Sequence, residues 1–245
     1  MVGGIPILRT DHREVSVTPV GGNGGFSPET VLAAKGLYSL FSKLIGTNFE
    51  PYAPKLSLLL PPGRGLVLGS GAGRRKLLGA INLDYFLFSN VDIVADALSL
   101  PFEDDSFDFI VSEFVIEHIS KPEKFCGEAS RVLKSGGILY ISYPFIHPYH
   151  AYPNDYFRYT PQALEVLFPE CRPLRHAPLS GPACRWVGAT ADLFCGFLPY
   201  KKIQISIRVL LLLLLFPIRY LDLIYNRLPQ AMGHSVTLYS LLMKR

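Results

Sequence analysis

The chain has 245 residues, 49% hydrophobic and 18% charged, with a formal net charge of +4. That length and apolar content suit one sizeable core with an appendage, and they exclude a disordered or fibrous chain. The basic residues stand in short clusters (Arg74-Arg75-Lys76, Lys201-Lys202, Lys244-Arg245) and not in one run interleaved with aromatics, which argues against a nucleic-acid partner.

Residues 1–26 are polar and glycine-rich, close on Gly21-Gly22-Asn23-Gly24-Gly25 and read as a mobile leader. Met1 to Thr10 lacks a basic start followed by a long apolar stretch, so no secretory signal is expected. Cys126, Cys171, Cys184 and Cys195 form no C-x-x-C pair and fit neither a zinc site nor a disulfide framework. A reducing, cytoplasmic setting with no metal is the expectation.

Ser27-Pro28 is a cap and first turn, and Val31 to Ile45 carries a helical apolar pattern. Pro51, Pro54, Pro61 and Pro62 then break the chain, so a compact domain is expected from Gly63. Gly65–Leu68, Ala80–Asp84, Asp92–Asp96, Phe107–Ser112 and Ile138–Tyr143 read as strands. Several are nearly continuous apolar runs, as in a parallel sheet covered on both faces. Pro122 opens a helix expected to stop at Gly136-Gly137. Pro161–Phe168 reads as a helix, Arg172–Leu179 as a sixth strand and Ser235–Lys244 as the last.

Seven landmarks lie in order between Leu66 and Tyr143. They are Gly69-Ser70-Gly71-Ala72-Gly73, the acid ending Ile81-Asn82-Leu83-Asp84, and the acid in Val94-Ala95-Asp96-Ala97. Leu100-Pro101-Phe102, Ser106-Phe107-Asp108-Phe109-Ile110-Val111, Glu117-His118 and Arg131-Val132-Leu133-Lys134-Ser135-Gly136-Gly137 follow. Ligands of open α/β sheets sit beyond the carboxyl ends of the strands. Glycines after the first strand let backbone amides approach a ligand that a Cβ would hold off. Asp84 is placed to accept from both ribose hydroxyls of a nucleoside. Asp96 is placed to accept from an adenine amino group, with Ala97 or Leu98 adding a backbone contact. A nicotinamide dinucleotide fits less well, because the spacing is G-x-G-x-G and position 74 is Arg where G-x-G-x-x-G needs its third glycine.

These residues resemble the class I S-adenosylmethionine-dependent methyltransferases, closest to the methyltransferase type 11 group. The resemblance covers about residues 63–168 and is most specific from Asp92 to Gly137. It implies an α/β, Rossmann-like, seven-stranded and mostly parallel sheet with an antiparallel last strand. It also implies S-adenosyl-L-methionine as cofactor, with Gly69, Gly71, Gly73, Asp84 and Asp96 lining the donor site. Ser70 and Glu113 are further donor-site candidates. The family usually has an acid two positions before the first glycine, where this chain has Val67. Only fifteen positions separate Gly69 from Asp84, so any helix between them is short.

The loop after the fifth strand, Pro144 to Thr160, is the densest polar and aromatic stretch. In this fold it faces the transferring methyl, and the resembling family often shows His, Pro, Asp and Arg-Tyr-Thr here. A hydroxyl acceptor must lose a proton, and histidine is the side chain poised for that near neutral pH. His150 is the first candidate base and His147 the second, with Tyr149, Asp155, Arg158 and Tyr159 positioning substrate. A bland alternative has Asp155 and Arg158 pairing across a turn to brace the loop, and His118 bracing the helix beside the donor.

Ile203 to Tyr225 is strongly apolar, yet Val209–Ile218 gives only ten uninterrupted apolar residues, short of the roughly 20 needed to span a bilayer. Gln204, Arg208, Arg219, Asp222 and Asn226 fall on one side of a helical projection, with Pro217 kinking it. Peripheral membrane contact through 203–228, arginines toward the headgroups, is one reading; a lid or dimer face is the other. The expected organisation is a leader and helix over 1–62, a methyltransferase core over 63–183, a hydrophobic helical insertion over 184–230 and the last core strand over 231–245. The expected function is methyl transfer to a small, apolar or lipid-linked acceptor, with O-methylation favoured. A catalytically silent donor-binding or membrane scaffold protein is the alternative.

Overall fold

The computed structural model describes residues 4–8, 50, 53–71, 76–151 and 154–245, with the side chains of Lys201 and Lys202 left aside. The helix expected over Val31–Ile45, the glycine-rich end of the leader, Gly73 and any helix within 72–75 lie outside the described residues.

Eight strands form one sheet: β1 (Ile7–Leu8), β2 (Gly65–Leu68), β3 (Ala80–Asp84), β4 (Ile93–Ala95), β5 (Phe107–Glu113), β6 (Leu133–Pro144), β7 (Cys171–Ser180) and β8 (Thr237–Lys244). Their order is β1-β4-β3-β2-β5-β6-β8-β7. Only β8 runs against its neighbours, pairing antiparallel with both β6 and β7. The antiparallel last strand is as expected. The eighth strand is not, because Ile7–Leu8, read as leader, adds a parallel edge beside Val94 and Ala95.

The periodicity explains both covered faces. Leu66, Leu68, Leu83, Phe107 and Ile110 point into a core with Phe125, Ala129 and Val132 of α1 (Pro122–Val132) and Leu164 of α2 (Pro161–Leu167). Val67, Phe109, Val111, Tyr140 and Tyr239 fill the opposite face. Thr160 caps α2 by accepting from the Ala163 amide at 3.1 Å, and Pro161 takes the first helical position, where no N–H is needed. Helix α1 ends four residues earlier than expected, at Val132. Leu133 is already extended and pairs with Phe107, and the next pairing joins Phe109 to Ile138. Gly136, at φ +76, lies in the extra chain of that irregularity. The glycine pair therefore makes a bulge and no helix cap.

Two landmark strings turn out to be one staple. Arg131 donates to Glu128, to Asp104 and to the carbonyls of Leu100 and Phe102, while Glu128 accepts from the Leu100 amide at 2.7 Å. The Leu-Pro-Phe turn is thus tied to the end of α1.

Between β7 and β8 lie α3 (Pro182–Gly196), α4 (Lys201–Leu215), a 3-10 turn (Phe216–Leu221), α5 (Asp222–Tyr225) and α6 (Ala231–His234). This appendage packs a small apolar cluster of Val187, Ala191 and Leu212, buries two charged side chains as well, and leaves many apolar side chains exposed. Asp222, fully buried, accepts from the amides of Gly181, Ala183 and Cys184 and so satisfies the first turn of α3. Arg219 is 1% exposed and Arg208 pairs with Asp192. The expectation that the arginines turn toward headgroups fails at Arg219, whose guanidinium is buried within the electrostatic reach of the Asp222 carboxylate. Among the described residues no helix is long and apolar enough to cross a membrane.

Candidate active site

Strand order reverses between β2 and β5, which place their carboxyl ends side by side with Leu68 opposite Ser112. Gly69 and Gly71 follow β2 in the left-handed region, at φ +68 and +58. A Cβ on Gly69 would lie 2.3 Å from Val115, so the loop rests directly on the segment after β5. Gly71 has open space around a Cβ and needs only its backbone conformation. Ser70 is buried, with no hydrogen-bond partner for its hydroxyl.

The acids stand where the pattern puts them. Asp84, ending β3 and largely buried, accepts from the Gly71 amide at 2.8 Å and the Phe86 amide at 2.9 Å. It therefore braces the glycine loop from below; a carboxylate takes about four donors, so gripping ribose hydroxyls is compatible with that work. Asp96, just past β4, accepts from the Leu98 amide at 2.9 Å, with Ala97 partly buried against the core. Glu113 ends β5 beside this loop. Val67 points to the other face of the sheet, into the cluster of Phe109, Val111 and Tyr140. Alternation along β2 thus sends Leu66 and Leu68 one way and Val67 the other.

A second cluster adjoins. Glu117 lies in the 3-10 turn Ile116–His118, two residues past Val115, and its side chain is 0% exposed. His150 Nε2 lies 3.5 Å and His118 Nε2 3.8 Å from Glu117 Oε1. The His118 and His150 rings stand 5.1 Å apart and those of His147 and His150 4.6 Å. The Glu117 carboxylate holds His150 above the ordinary histidine value, against the opposite pull of burial. Burial lowers His147. His147 Nδ1 lies 2.9 Å from the Pro148 carbonyl, leaving Nε2 as its other ring nitrogen.

The loop is held by its own charges. Arg158 binds both Asp155 oxygens and donates to the carbonyls of His147, Pro148 and Phe157. The guanidinium holds the Asp155 carboxyl down to about 2. Asp155 also accepts from the His150 amide at 2.8 Å. Asp155 and Arg158 thus fix the histidines in place, the bracing alternative. Tyr159 needs correction: it is buried in the core, and its hydroxyl donates to the Ile116 carbonyl at 3.4 Å. It positions the Glu117 turn and not a substrate. Tyr149 is well exposed at the mouth of the loop.

Sequence reasoning left Glu117 out of the site, though the signal was there: an acid inside the apolar Phe114-Val115-Ile116 run has to be buried with it. All four cysteines are buried and none forms a disulfide. A depression lined by Asp104, Asp105, Glu123 and Arg131 lies at the opposite ends of the strands. Arg131 there pairs with Asp104 and Lys244 with Asp105.

Residues 75–141 match the family model described as a methyltransferase domain. A demethylmenaquinone methyltransferase of Renibacterium salmoninarum is 35% identical over 50% of this chain and 47% of its own length. A ubiquinone/menaquinone biosynthesis C-methyltransferase of Pasteurella multocida is 26% identical over 69% of this chain and 55% of its own. The chain spans about half the length of these relatives. A solved S-adenosylmethionine-dependent methyltransferase of Thermotoga maritima has the same fold, with a TM-score of 0.51 and 16% identity over 88% of this chain and 98% of that one. Residues 75–141 thus resemble a methyltransferase domain, carried on a fold shared with a solved S-adenosylmethionine-dependent methyltransferase.

Proposed function

We propose that the protein transfers the methyl group of S-adenosylmethionine to a hydroxyl oxygen of a small, apolar or lipid-linked acceptor. The observation that carries this reading is the buried Glu117 with its histidines, set against the same Val115 segment that the Gly69 loop touches. Donor-side and acceptor-side groups therefore adjoin one short segment, Val115 to Glu117. When bound, the sulfonium supplies an electrophilic methyl, and the protein has to orient the nucleophile in line and exclude water.

Gly69, Ser70 and Gly71 cradle the donor's backbone-facing edge. Asp84 takes the ribose hydroxyls; Asp96, with the Ala97 backbone, takes the base, and Glu113 lies toward the charged tail. The Ser70 hydroxyl is buried without a hydrogen-bond partner among the described residues, and a polar ligand at this loop would supply one. Of the two candidate bases, geometry supports His147. His150 has a carboxylate on either side, Glu117 at Nε2 and Asp155 at Nδ1, whereas His147 Nε2 has no hydrogen-bond partner among the described residues. Tyr149 stands where an arriving acceptor passes.

Two observations support an apolar acceptor. The relatives above are named for demethylmenaquinone and for ubiquinone/menaquinone biosynthesis. The appendage also turns apolar side chains outward, with Phe197 81% and Leu214 66% exposed. Six of the 24 Lys and Arg but only two of the 20 Asp and Glu fall within 182–230, so the whole formal excess of +4 resides there. Apolar surface with a positive balance suits an anionic bilayer surface, and we assign it to peripheral lipid contact.

Carbon methylation is the second reading, favoured by the C-methyltransferase name of one relative. A deprotonated phenol is nucleophilic at oxygen and at ring carbon alike, so the same proton removal serves both. The test is calorimetry with S-adenosylmethionine and S-adenosylhomocysteine, followed by turnover of a hydroquinone and product mass spectrometry. Binding of both nucleosides is expected, with His147→Ala retaining binding and losing turnover at least tenfold. Absence of binding to either would return the chain to the scaffold alternative. A methyl found on ring carbon would establish the second reading.

A further inference from the structure

We infer that Glu117, His118 and His150 form a binding site for a divalent transition-metal ion. The argument starts from the ring nitrogens. His118 Nδ1 is hydrogen-bonded to the carbonyl of Asn154, which can only accept, so Nδ1 carries the proton and Nε2 presents a lone pair. His150 Nδ1 lies 3.2 Å from the Pro148 carbonyl and 3.3 Å from Asp155 Oδ2, again two acceptors, which sets the same tautomer. Both Nε2 atoms then face Glu117 Oε1, at 3.8 and 3.5 Å.

Three ligand atoms therefore converge, and apart from the two imidazoles the fully buried Glu117 carboxylate has no polar side-chain partner among the described residues. A buried carboxylate met only by two imidazoles is costly unless a cation or proton joins them. The separations suit a metal. The three ligand atoms all lie within 4.8 Å of one another. Bonds of about 2.1 Å in tetrahedral geometry put ligand atoms about 3.4 Å apart, so small side-chain shifts close the shell.

The surroundings are those of a metal site. Histidine ligands characteristically give their other nitrogen to a carbonyl or carboxylate, and here both do. Arg158 in turn fixes Asp155 and the carbonyls of His147 and Pro148. Tyr156 adds an amide bond to the Glu117 carbonyl at 2.8 Å. Two imidazoles and one carboxylate select a zinc- or iron-class ion over magnesium or calcium, which prefer all-oxygen shells. Three protein ligands leave at least one position open. An acceptor's oxygen would take that position; this role, unlike the site itself, rests on the methyltransferase reading.

The test uses the full chain, dialysed against a chelator and titrated with Co2+ and Zn2+, with S-adenosylhomocysteine binding measured in parallel. One equivalent of Co2+ is expected, with visible d–d absorption, together with a Zn2+-dependent rise in Tm of the unaltered protein. His118→Ala is expected to weaken Co2+ binding more than tenfold while keeping nucleoside binding, and His234→Ala, away from the cluster, to change neither. Absence of stoichiometric Co2+ and Zn2+ binding by the unaltered chain, or equal binding by His118→Ala, would overturn the site. Nucleoside binding measured without metal reports on the methyltransferase reading by itself, so the two failures are distinguishable.

Discussion

Two glycines two positions apart do different work. Gly69 needs both its positive φ and the absence of a Cβ, since Val115 occupies that space, whereas Gly71 needs the backbone alone. Gly69→Ala is therefore expected to cost about 2–4 kcal/mol, strain and overpacking together, and to abolish nucleoside binding. Gly71→Ala should cost only about 1 kcal/mol. Thermal denaturation and calorimetry on both variants check the difference. Equal losses would mean that Val115 is free to move aside. Tyr159 makes a related point: the Arg-Tyr-Thr string looks like a substrate contact, yet only the arginine and threonine point to polar work, and the tyrosine is core.

At the level of elements, single side chains hold whole segments. Asp222 accepts three amide bonds at the start of α3 from a position 38 to 41 residues away in the chain. Asp222→Ala leaves three buried amides without partners and is expected to cost about 3 kcal/mol. Because the loss is confined to the appendage, amide exchange in α3 should rise while β5 and β6 stay protected. The Glu128–Arg131 staple carries a pH signature. The Arg131 guanidinium, aided by the Leu100 amide, depresses the Glu128 carboxyl below its ordinary 4.5. A depressed acid contributes stability that is fully present above the unfolded-state value and is lost as pH falls through the folded one. Denaturant midpoints measured downward from pH 5 should therefore fall more steeply for the native chain than for Glu128→Gln, already lacking that contribution. Parallel slopes would remove the staple as a source of acid sensitivity.

For the molecule as a whole, the sheet separates two kinds of surface. The carboxyl ends of the strands carry the acids and histidines, and the appendage carries outward apolar side chains with the entire net positive charge. Charging that apolar face by Phe197→Glu with Leu214→Glu should abolish sedimentation with anionic vesicles and leave Tm within about 1 °C, because neither side chain is buried. Sedimentation of the double variant equal to the native chain would assign the face to a lid or to a second copy instead.

Strand positions β2 to β8, the acids at two strand ends and the antiparallel final strand were legible in the residues themselves, because period-two burial, turn-forming glycines and proline starts act over a few neighbouring positions. Other features could be read only once the chain had folded. The edge strand Ile7–Leu8 exists through pairing with Val94 and Ala95, and the bulge at Gly136 through a register imposed by β5. The inward turn of Asp222 answers to amides at the start of a different helix. The joining of Glu117 and His118 to His150 brings together side chains more than thirty positions apart. Local pattern fixes what a segment becomes, whereas long-range packing and the need to satisfy buried charge decide which segments meet, and a chemical site is a meeting of segments.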